Sequence, residues 1–371
     1  MSDKIYVTKP YLPPLQDYIG HLQQIWDSGM LTNGGPQHQL LEERLADYLG
    51  VPHLSLFNNC TTALITAFQA LRLHGEVITT PFSFVASANV LIWSNNVPVF
   101  VDIDPETLNL DPDKIEAAIT DKTCAILPVH CYGNPCAMDA IEAIAARHNL
   151  RVIYDAAHAF GVQDDRGSIL ARGDLSAVSF HATKVFNTFE GGALICQSPE
   201  MKKRIDDLKN FGIQDELTVI TAGSNGKMSE VCAAMGLVQL NYIDQAIAGR
   251  RRVDAAYRAA LAGIDGLRVL PRLHQRVSSY AYFPIMVEDD YPLTRDELYD
   301  ALRQDNILPR RYFYPLISDF PMYRNLPSSD PDNLPVAHQI AKRVLCLPIY
   351  SDLAEADITR ITDILARGKI G

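Results

Sequence analysis

Short apolar runs alternate with segments of helical periodicity along the first half of the chain, and this alternation limits the fold more than any other feature. The runs have the length and composition of strands buried on both faces, whereas segments such as 61–72 and 137–148 have the spacing of helices. This alternation predicts an α/β fold in which helices cover both faces of a mostly parallel sheet. The runs predicted to be strands are 77–80, 98–101, 124–129, 152–154, 177–180 and 193–196.

The second half of the chain predicts a smaller domain. A length of 371 residues is typical of one large domain with a smaller one. Residues 228–247 have the pattern of one long helix leaving the large domain, and residues 250–262 that of another helix opening a C-terminal α+β domain. We therefore predict a large domain over 1–248 and a small domain over 249–371. The three arginines at 250–252 are predicted to form a charged helix face.

Composition excludes several classes of function. The formal net charge of -11 argues against a nucleic-acid-binding protein, which usually has a basic face. No apolar stretch approaches the roughly 20 residues needed to span a membrane, and the first residues lack the pattern of a signal peptide. Seven cysteines without a C-x-x-C pair predict reduced thiols and a cytoplasmic protein. No metal site is predicted.

One lysine and one aspartate predict a cofactor. Lys184 lies between two apolar runs, where burial would lower its pKa and leave a neutral amine able to form a Schiff base. Asp155 ends another run, and ligands of open α/β sheets bind at the carboxyl ends of strands. Taken alone, Lys184 would more commonly be a solvated loop lysine, and Asp155 could equally cap the next helix. Together they match pyridoxal 5'-phosphate (PLP), which needs a lysine for its aldehyde and an anion for its ring nitrogen.

The order and spacing of nine segments resemble a known family. The chain is similar from end to end to the DegT/DnrJ/EryC1/StrS sugar aminotransferases, which have the type I PLP-dependent aminotransferase fold. The segments are LTNGGP (31–36), FNNCTTAL (57–64), PFSFVA (81–86), PVHCYG (128–133), DAAH (155–158), SFHATK (179–184), EGG (190–192), SNGKMSE (224–230) and LCLP (345–348).

The resemblance implies a phosphate site. Cys60 and Thr61 stand at the start of a predicted helix, where backbone N–H groups and the helix dipole favour a phosphate. Thr61 matches the phosphate-binding hydroxyl of the family, whereas Cys60 replaces the usual glycine. Ser179, five residues before Lys184, is implied to meet the same phosphate. Without the resemblance, Thr61 could equally be a helix N-cap.

The resemblance also assigns residues to the cofactor ring and to a second subunit. Phe84 is implied to stack on the ring, and His158 to cover the other face or support the aspartate. Asn225 matches an asparagine that reaches the phosphate of the neighbouring subunit's cofactor, which implies a homodimer. From the residues alone, Phe84 could be core, His158 structural and Asn225 a turn residue.

The implied substrates are a dTDP-linked keto sugar and L-glutamate. Local similarity favours the branch that aminates C4 of dTDP-4-keto-6-deoxyglucose to give dTDP-4-amino-4,6-dideoxyglucose, a precursor of O-antigen and other lipopolysaccharide glycans. Arg310, Arg311 and Tyr312 could hold the pyrophosphate and stack on the base or sugar, or form a solvated surface. Amination at C3 of a 3-keto sugar, a sugar dehydratase and a non-catalytic binding protein remain alternatives. Lys184 argues against the dehydratases, which carry histidine at the Schiff-base position.

Overall fold

The strands form one large sheet and one small sheet. The computed structural model describes residues 4–272 and 275–368. The strands of these residues are β1 (Ile5–Tyr6), β2 (His53–Phe57), β3 (Glu76–Thr79), β4 (Val97–Phe100), β5 (Thr123–Leu127), β6 (Arg151–Asp155), β7 (Gln163–Asp164), β8 (Gly167–Ser168), β9 (Leu175–Ser179), β10 (Gly192–Cys196), β11 (Leu267–Val269), β12 (Phe283–Val287), β13 (Ile307–Leu308) and β14 (Val344–Leu347).

Helices cover the sheets and connect their strands. Short 3-10 turns occur between several of the elements. The α-helices of the described residues are α1 (Leu15–Ser28), α2 (Pro36–Leu49), α3 (Cys60–Ala70), α4 (Ala86–Trp93), α5 (Pro112–Ile115), α6 (Met138–Arg147), α7 (Pro199–Lys209), α8 (Glu230–Leu240), α9 (Ile243–Leu261), α10 (Arg295–Gln304), α11 (Pro335–Arg343) and α12 (Glu355–Arg367).

The large sheet has the order β2-β10-β9-β6-β5-β3-β4. All pairs from β9 to β4 are parallel, and only β10 runs antiparallel to its neighbours β2 and β9. Each of the six predicted strands is present, and the predicted mostly parallel sheet is confirmed. Because β10 runs in the opposite direction, it begins at the edge of the sheet where β2 and β9 end.

Both faces of the large sheet are buried, as the continuous apolar runs predicted. Along β6, Val152 and Tyr154 belong to one hydrophobic cluster, and Ile153 belongs to another. The side chains of a strand alternate between the two faces of its sheet. Helices therefore pack on both sides of β6. Its carboxyl end, at Asp155, is the place where a polar side chain of this strand can reach a ligand.

The helical segment after residue 228 differs from the prediction. We predicted one helix over 228–247 and another over 250–262, but α8 ends at Leu240 and α9 continues without interruption from Ile243 to Leu261. The break at Asn241 and Tyr242 was missed because Ile243 returns to the core and continues the apolar pattern. The predicted domain boundary after residue 248 therefore falls inside α9, and the division into domains stays a prediction.

The C-terminal part is built on a small antiparallel sheet of order β11-β12-β14. Its core includes residues of α9, α10 and α12, together with Ile5 of β1, which pairs in parallel with β13. Arg250 was predicted to lie on a charged face but is only 3% exposed. Its guanidinium donates to the carbonyls of Tyr280, Ala281 and Ile349, so Arg250 ties α9 to the strands beside it.

The described residues also bear on membranes and thiols. Within residues 4–272 and 275–368, no helix has the length and apolar character needed to cross a membrane. All seven cysteines lie in these ranges, and their thiols are free.

Candidate active site

A cavity of about 290 Å³ opens at the carboxyl edge of the large sheet. The ends of β6 and β9, the start of α3 and the segment before α4 meet around it. Eight of the eleven candidate residues line it, although they are spread over some 250 positions of the chain; they are Cys60, Thr61, Phe84, Asp155, His158, Ser179, Lys184 and Tyr312.

Asp155 is a buried carboxylate at the end of β6. Its Oδ2 accepts a hydrogen bond of 2.7 Å from the Ser87 hydroxyl, and its Oδ1 accepts one of 3.1 Å from the Ala157 N–H. Burial raises the pKa of Asp155, whereas these two hydrogen bonds and the nearby charge of Lys184 oppose the rise. The carboxylate is therefore fixed in direction and supplied with partners for its negative charge.

Lys184 faces the same cavity from the loop after β9. Burial lowers the pKa of its amine, and the neighbouring Asp155, Cys60 and Tyr312 oppose that shift in this order. The Nζ atom lies 6.0 Å from the centroid of the Tyr282 ring. A lysine in this setting loses its proton more easily than one on the surface, which is the property needed in a nucleophile or a general base.

Helix α3 presents its N-terminus to the cavity. The Asn59 side chain caps the helix by accepting from the Thr62 N–H at 2.8 Å. The N–H groups of Cys60 and Thr61, the first two of the helix, have no partner within it. They are the groups that a phosphate at a helix N-terminus uses. Burial raises the pKa of the Cys60 thiol well above its ordinary value, so the thiol adds no negative charge to the site.

Gly192 gives this helix room to approach the sheet. It is the first residue of β10, paired with Phe57 of β2 and with Ser179 of β9. A Cβ atom at this position would lie 2.7 Å from the Cys60 backbone nitrogen. A side chain there would therefore push the start of α3 away from Ser179, the other residue implied to contact the phosphate.

Two aromatic side chains of the cavity differ in their surroundings. Phe84 is 59% exposed although it is apolar, whereas its neighbour Phe82 is fully buried in the core. His158 is buried, and its ring packs against Tyr282 and Phe313. Burial, followed by the charge of Lys184, lowers the pKa of His158 well below its ordinary value, so the ring is neutral at pH 7. Its buried Nδ1 atom has no hydrogen-bond partner among the described residues.

The C-terminal part contributes an aromatic wall, of which the sequence analysis named only Tyr312. Tyr282 and Phe313 line the cavity with Tyr312, and the rings of Tyr282 and Tyr312 meet edge to face at 5.8 Å. Burial raises the pKa of both phenols, which are therefore neutral and able to donate hydrogen bonds. Tyr282 stands far from the recognised motifs in the sequence, and only packing brings it to the site.

Ser87 was also missed by the sequence analysis. Its hydroxyl donates to the Asp155 carboxylate, and the sequence offered no clear signal for this contact.

Three of the candidate residues lie outside the cavity. Asn225 is exposed, and its Oδ1 accepts a hydrogen bond of 2.9 Å from Lys227. Arg311 donates to Asp296 at 2.7 Å and covers the Tyr299 ring at 4.3 Å, so its guanidinium is occupied. Arg310 is exposed beside Tyr312 and makes no ion pair within the described ranges.

Metal chemistry has no cluster of ligands to support it here. In the part of the chain that the structure describes, no group of three or more histidine, cysteine, aspartate and glutamate side chains is placed to hold an ion.

Comparison with known proteins agrees with this geometry. A model of the DegT/DnrJ/EryC1/StrS aminotransferase family matches residues 16–366. The chain belongs to this family. The predicted family, the predicted aminotransferase activity and the type I fold of PLP-dependent aminotransferases are therefore confirmed.

Similar proteins cover nearly the whole chain. A dTDP-4-amino-4,6-dideoxy-D-glucose transaminase of Shigella dysenteriae is 56% identical over 95% of this chain and 96% of its own. A protein of the same name from Escherichia coli is 52% identical over 98% of this chain and 99% of its own. Among solved structures, DesI in the presence of its TDP-sugar product superposes with a TM-score of 0.94 at 36% identity, over 99% of this chain and 93% of DesI.

Proposed function

We propose that this chain transfers the amino group of L-glutamate to C4 of dTDP-4-keto-6-deoxy-D-glucose. The products are dTDP-4-amino-4,6-dideoxy-D-glucose and 2-oxoglutarate, and the cofactor is PLP. The observation that carries the proposal is the convergence of Lys184 and Asp155 on one cavity. The acceptor follows from the name of the two relatives that are more than half identical to this chain.

The residues of the cavity fit PLP. The free N–H groups at the start of α3, with Thr61 and Ser179, suit its phosphate. The exposed face of Phe84 and the neutral ring of His158 suit a flat aromatic ring between them, and Asp155 suits a protonated ring nitrogen. Lys184 would hold the aldehyde. When bound, PLP supplies a ring that accepts the electron pair left when a proton leaves the amino-bearing carbon.

Lys184 is the residue that moves protons in this proposal. When glutamate is bound, the free amine of Lys184 would take the proton from the α-carbon of glutamate. In the second half of the reaction, the same amine would deliver a proton to C4 of the sugar. Both transfers need an amine that changes its protonation state readily, and the burial of Lys184 supports this.

Asp155 and the cavity wall prepare the site for this chemistry. With PLP bound, the Asp155 carboxylate would hold the proton on the ring nitrogen and so favour the spread of negative charge into the ring. Tyr282 and Tyr312 line the cavity, and their neutral hydroxyls would donate hydrogen bonds to the sugar. The aromatic wall also limits the entry of water, which would compete with the sugar.

The nucleotide is expected to lie toward the C-terminal part. Arg310 is exposed next to Tyr312 and is the better placed of the two arginines to meet a pyrophosphate. Arg311 would first have to release Asp296. A cationic residue here would hold a doubly charged substrate against the net charge of -11.

The proposal includes a homodimer and a cytoplasmic location. Asn225 lies outside its own cavity and is exposed, which suits a residue that reaches the phosphate of the neighbouring subunit's cofactor. The free thiols are typical of a reducing compartment.

Absorbance spectra of the purified protein with PLP test the cofactor and both substrates. PLP bound to Lys184 should give a visible band that disappears when L-glutamate is added and returns when the 4-keto sugar is added. NMR of the aminated product then locates the new nitrogen. Nitrogen at C3 would contradict the proposed position, and the absence of any band in the presence of PLP would contradict the cofactor.

Steady-state kinetics test the two-stage cycle. Glutamate leaves as 2-oxoglutarate before the keto sugar binds, so double-reciprocal plots for the two substrates should be parallel. Lines that intersect would show that both substrates bind before any product leaves, contrary to the proposed order.

A further inference from the structure

Behind the Asp155 carboxylate lies a chain of two buried hydroxyl groups. The Ser87 Oγ is 2.7 Å from Asp155 Oδ2, and the Ser83 Oγ is 2.9 Å from the Ser87 Oγ. Both serines are buried and both line the cavity. The three side chains thus form a continuous polar path in the wall of the cavity.

The direction of these hydrogen bonds follows from the number of protons. A carboxylate only accepts, so the single proton of the Ser87 hydroxyl is committed to Asp155. The contact between the two hydroxyls must then be donated by Ser83 and accepted by Ser87. Donation runs from Ser83 through Ser87 to Asp155, and each bond strengthens the next by polarising it.

Local structure holds the path in place. Ser87 is the second residue of α4, and Ser83 lies in the bend that precedes the helix, from where its hydroxyl reaches that of Ser87. The Ala88 N–H bonds the carbonyl of Val85, and the Ser87 N–H bonds that of Phe84. The turn that exposes Phe84 to the cavity therefore also directs the Ser87 hydroxyl toward Asp155.

A buried carboxylate needs such support in order to stay charged. Burial raises the pKa of Asp155, and the Ser87 hydroxyl is the strongest of the influences that oppose the rise, ahead of the Ala157 N–H and Lys184. A neutral Asp155 could no longer hold a proton on the ring nitrogen of a cofactor, because it would itself be carrying that proton.

We propose that Ser83 and Ser87 form a hydroxyl relay that keeps the Asp155 carboxylate ionised and aimed at the ring nitrogen of PLP. The two serines are positioning residues that act through Asp155. This inference rests on the proposed function, because the relay has a purpose only if PLP occupies the cavity. It adds two residues on which the protonation of the cofactor depends.

The test uses the holoenzyme reconstituted with PLP that carries 15N in its ring. The variants are Ser87→Ala and Ser83→Ala, and the matched control is Ser176→Ala, which removes a buried hydroxyl that donates to the Arg172 carbonyl. The first readout is the 15N chemical shift, which distinguishes a protonated ring from a neutral one. The second is the affinity for PLP and for its 1-deaza analogue, in which carbon replaces the ring nitrogen. Thermal unfolding shows whether each variant is folded.

We expect the ring nitrogen to move toward the neutral form in Ser87→Ala and part of the way in Ser83→Ala. The affinity for PLP should fall about 10- to 100-fold in Ser87→Ala, because this variant loses a hydrogen bond to a charged group. It should fall about threefold in Ser83→Ala, because the lost bond joins two neutral hydroxyls and acts on Asp155 only indirectly. The affinity for the deaza analogue should stay unchanged in both, and Ser176→Ala should behave as the parent protein.

Two results would overturn the relay. One is a folded Ser87→Ala protein whose bound ring nitrogen stays as protonated as in the parent protein. The other is an equal loss of affinity for PLP and for the deaza analogue, because that loss would reflect the shape of the cavity alone. A parent protein that binds no PLP would instead remove the proposed function, and the relay with it, so the two failures are distinguishable.

Discussion

At the scale of single residues, the chemistry depends on the Lys184 amine and the Asp155 carboxylate. They share a buried cavity in which neither charged form is favoured. Burial favours the neutral forms of both Lys184 and Asp155, and each opposes this effect at the other through its own charge. Asp155 has two further hydrogen-bond partners, whereas the charged form of Lys184 is favoured mainly by the charge of Asp155. The carboxylate is thus the better stabilised ion, and the lysine is the group that gives up its proton.

Replacing Lys184 tests its role directly. We expect Lys184→Ala to lower the transamination rate by at least about 10²–10⁴-fold, because both proton transfers lose their base. Single-turnover measurements with L-glutamate would show the loss in the first half of the reaction. Lys203→Ala is the control, since Lys203 is exposed and pairs with Asp207. Full activity in Lys184→Ala would contradict the proposed mechanism.

The residues of the site show where sequence reasoning succeeds and where it ends. Asp155 and Lys184 were predictable because each follows an apolar run whose end must reach the carboxyl edge of the sheet. Tyr282 was not, because its distance from every recognised motif is bridged only by packing. The pairing of Arg311 with Asp296 of α10 was hidden for the same reason.

At the scale of elements, the site depends on the reversal of one strand. β10 runs against β2 and β9, so its first residue lies between their last residues, directly under the start of α3. β2 was not among the predicted strands, and this reversal was therefore not visible in the sequence. A glycine is needed there because the helix backbone comes too close for any side chain.

Gly192→Ala should damage the phosphate site. The added methyl group would meet the Cys60 nitrogen, and we expect about 1–3 kcal/mol of lost stability from this overpacking, with weaker binding of PLP. Urea unfolding and PLP titration measure the two effects. Gly20→Ala is a matched control, because a Cβ there meets nothing within 4 Å, and in a helix it should stabilise by about 0.5–1 kcal/mol. Equal behaviour of the two variants would refute the close approach.

At the scale of the whole molecule, buried neutral histidines make stability depend on pH. Burial, reinforced by the charge of Arg172, lowers the pKa of His130 from 6.5 to about 3. Below pH 6.5 the unfolded chain takes up a proton at this residue and the folded chain does not. The free energy of unfolding therefore falls as the pH drops from 6.5 toward 3, and full stability from this residue is present only above 6.5.

His130→Asn should flatten this dependence. His130 alone adds at most about 1.4 kcal/mol per pH unit to the slope of the free energy of unfolding against pH. The variant should lose this contribution, whereas the contributions of the other buried histidines should remain. Urea unfolding at several pH values between 7.5 and 5 gives the slope. His74→Asn, at an exposed position, should leave it as it is. An unchanged slope in His130→Asn would mean that His130 does not stay neutral in the folded protein.

The proposed shared sites can be tested by mixing subunits. Suppose that Asn225 of each subunit completes the cavity of its neighbour. A dimer of one Lys184→Ala subunit and one Asn225→Ala subunit then has one site in which both residues are native. Random mixing should then restore on the order of a quarter of the parent activity from two nearly inactive proteins. Lys184→Ala mixed with Asp155→Asn is the control, because those two residues lie in one cavity and every site of the mixed dimer is damaged. No recovery in the first mixture would argue against a site that includes Asn225 of the neighbour.

The parallel pairing of β1 with β13 has a consequence for the synthesis of the chain. Ile5 lies beside Ile307, so β1 leaves the ribosome some 300 residues ahead of its partner strand. At about 5–20 residues per second, β1 waits roughly 15–60 seconds before that partner exists. The large sheet is complete at Cys196 and can form in the meantime. β1 can therefore pair only late in synthesis, after every strand of the large sheet has left the ribosome.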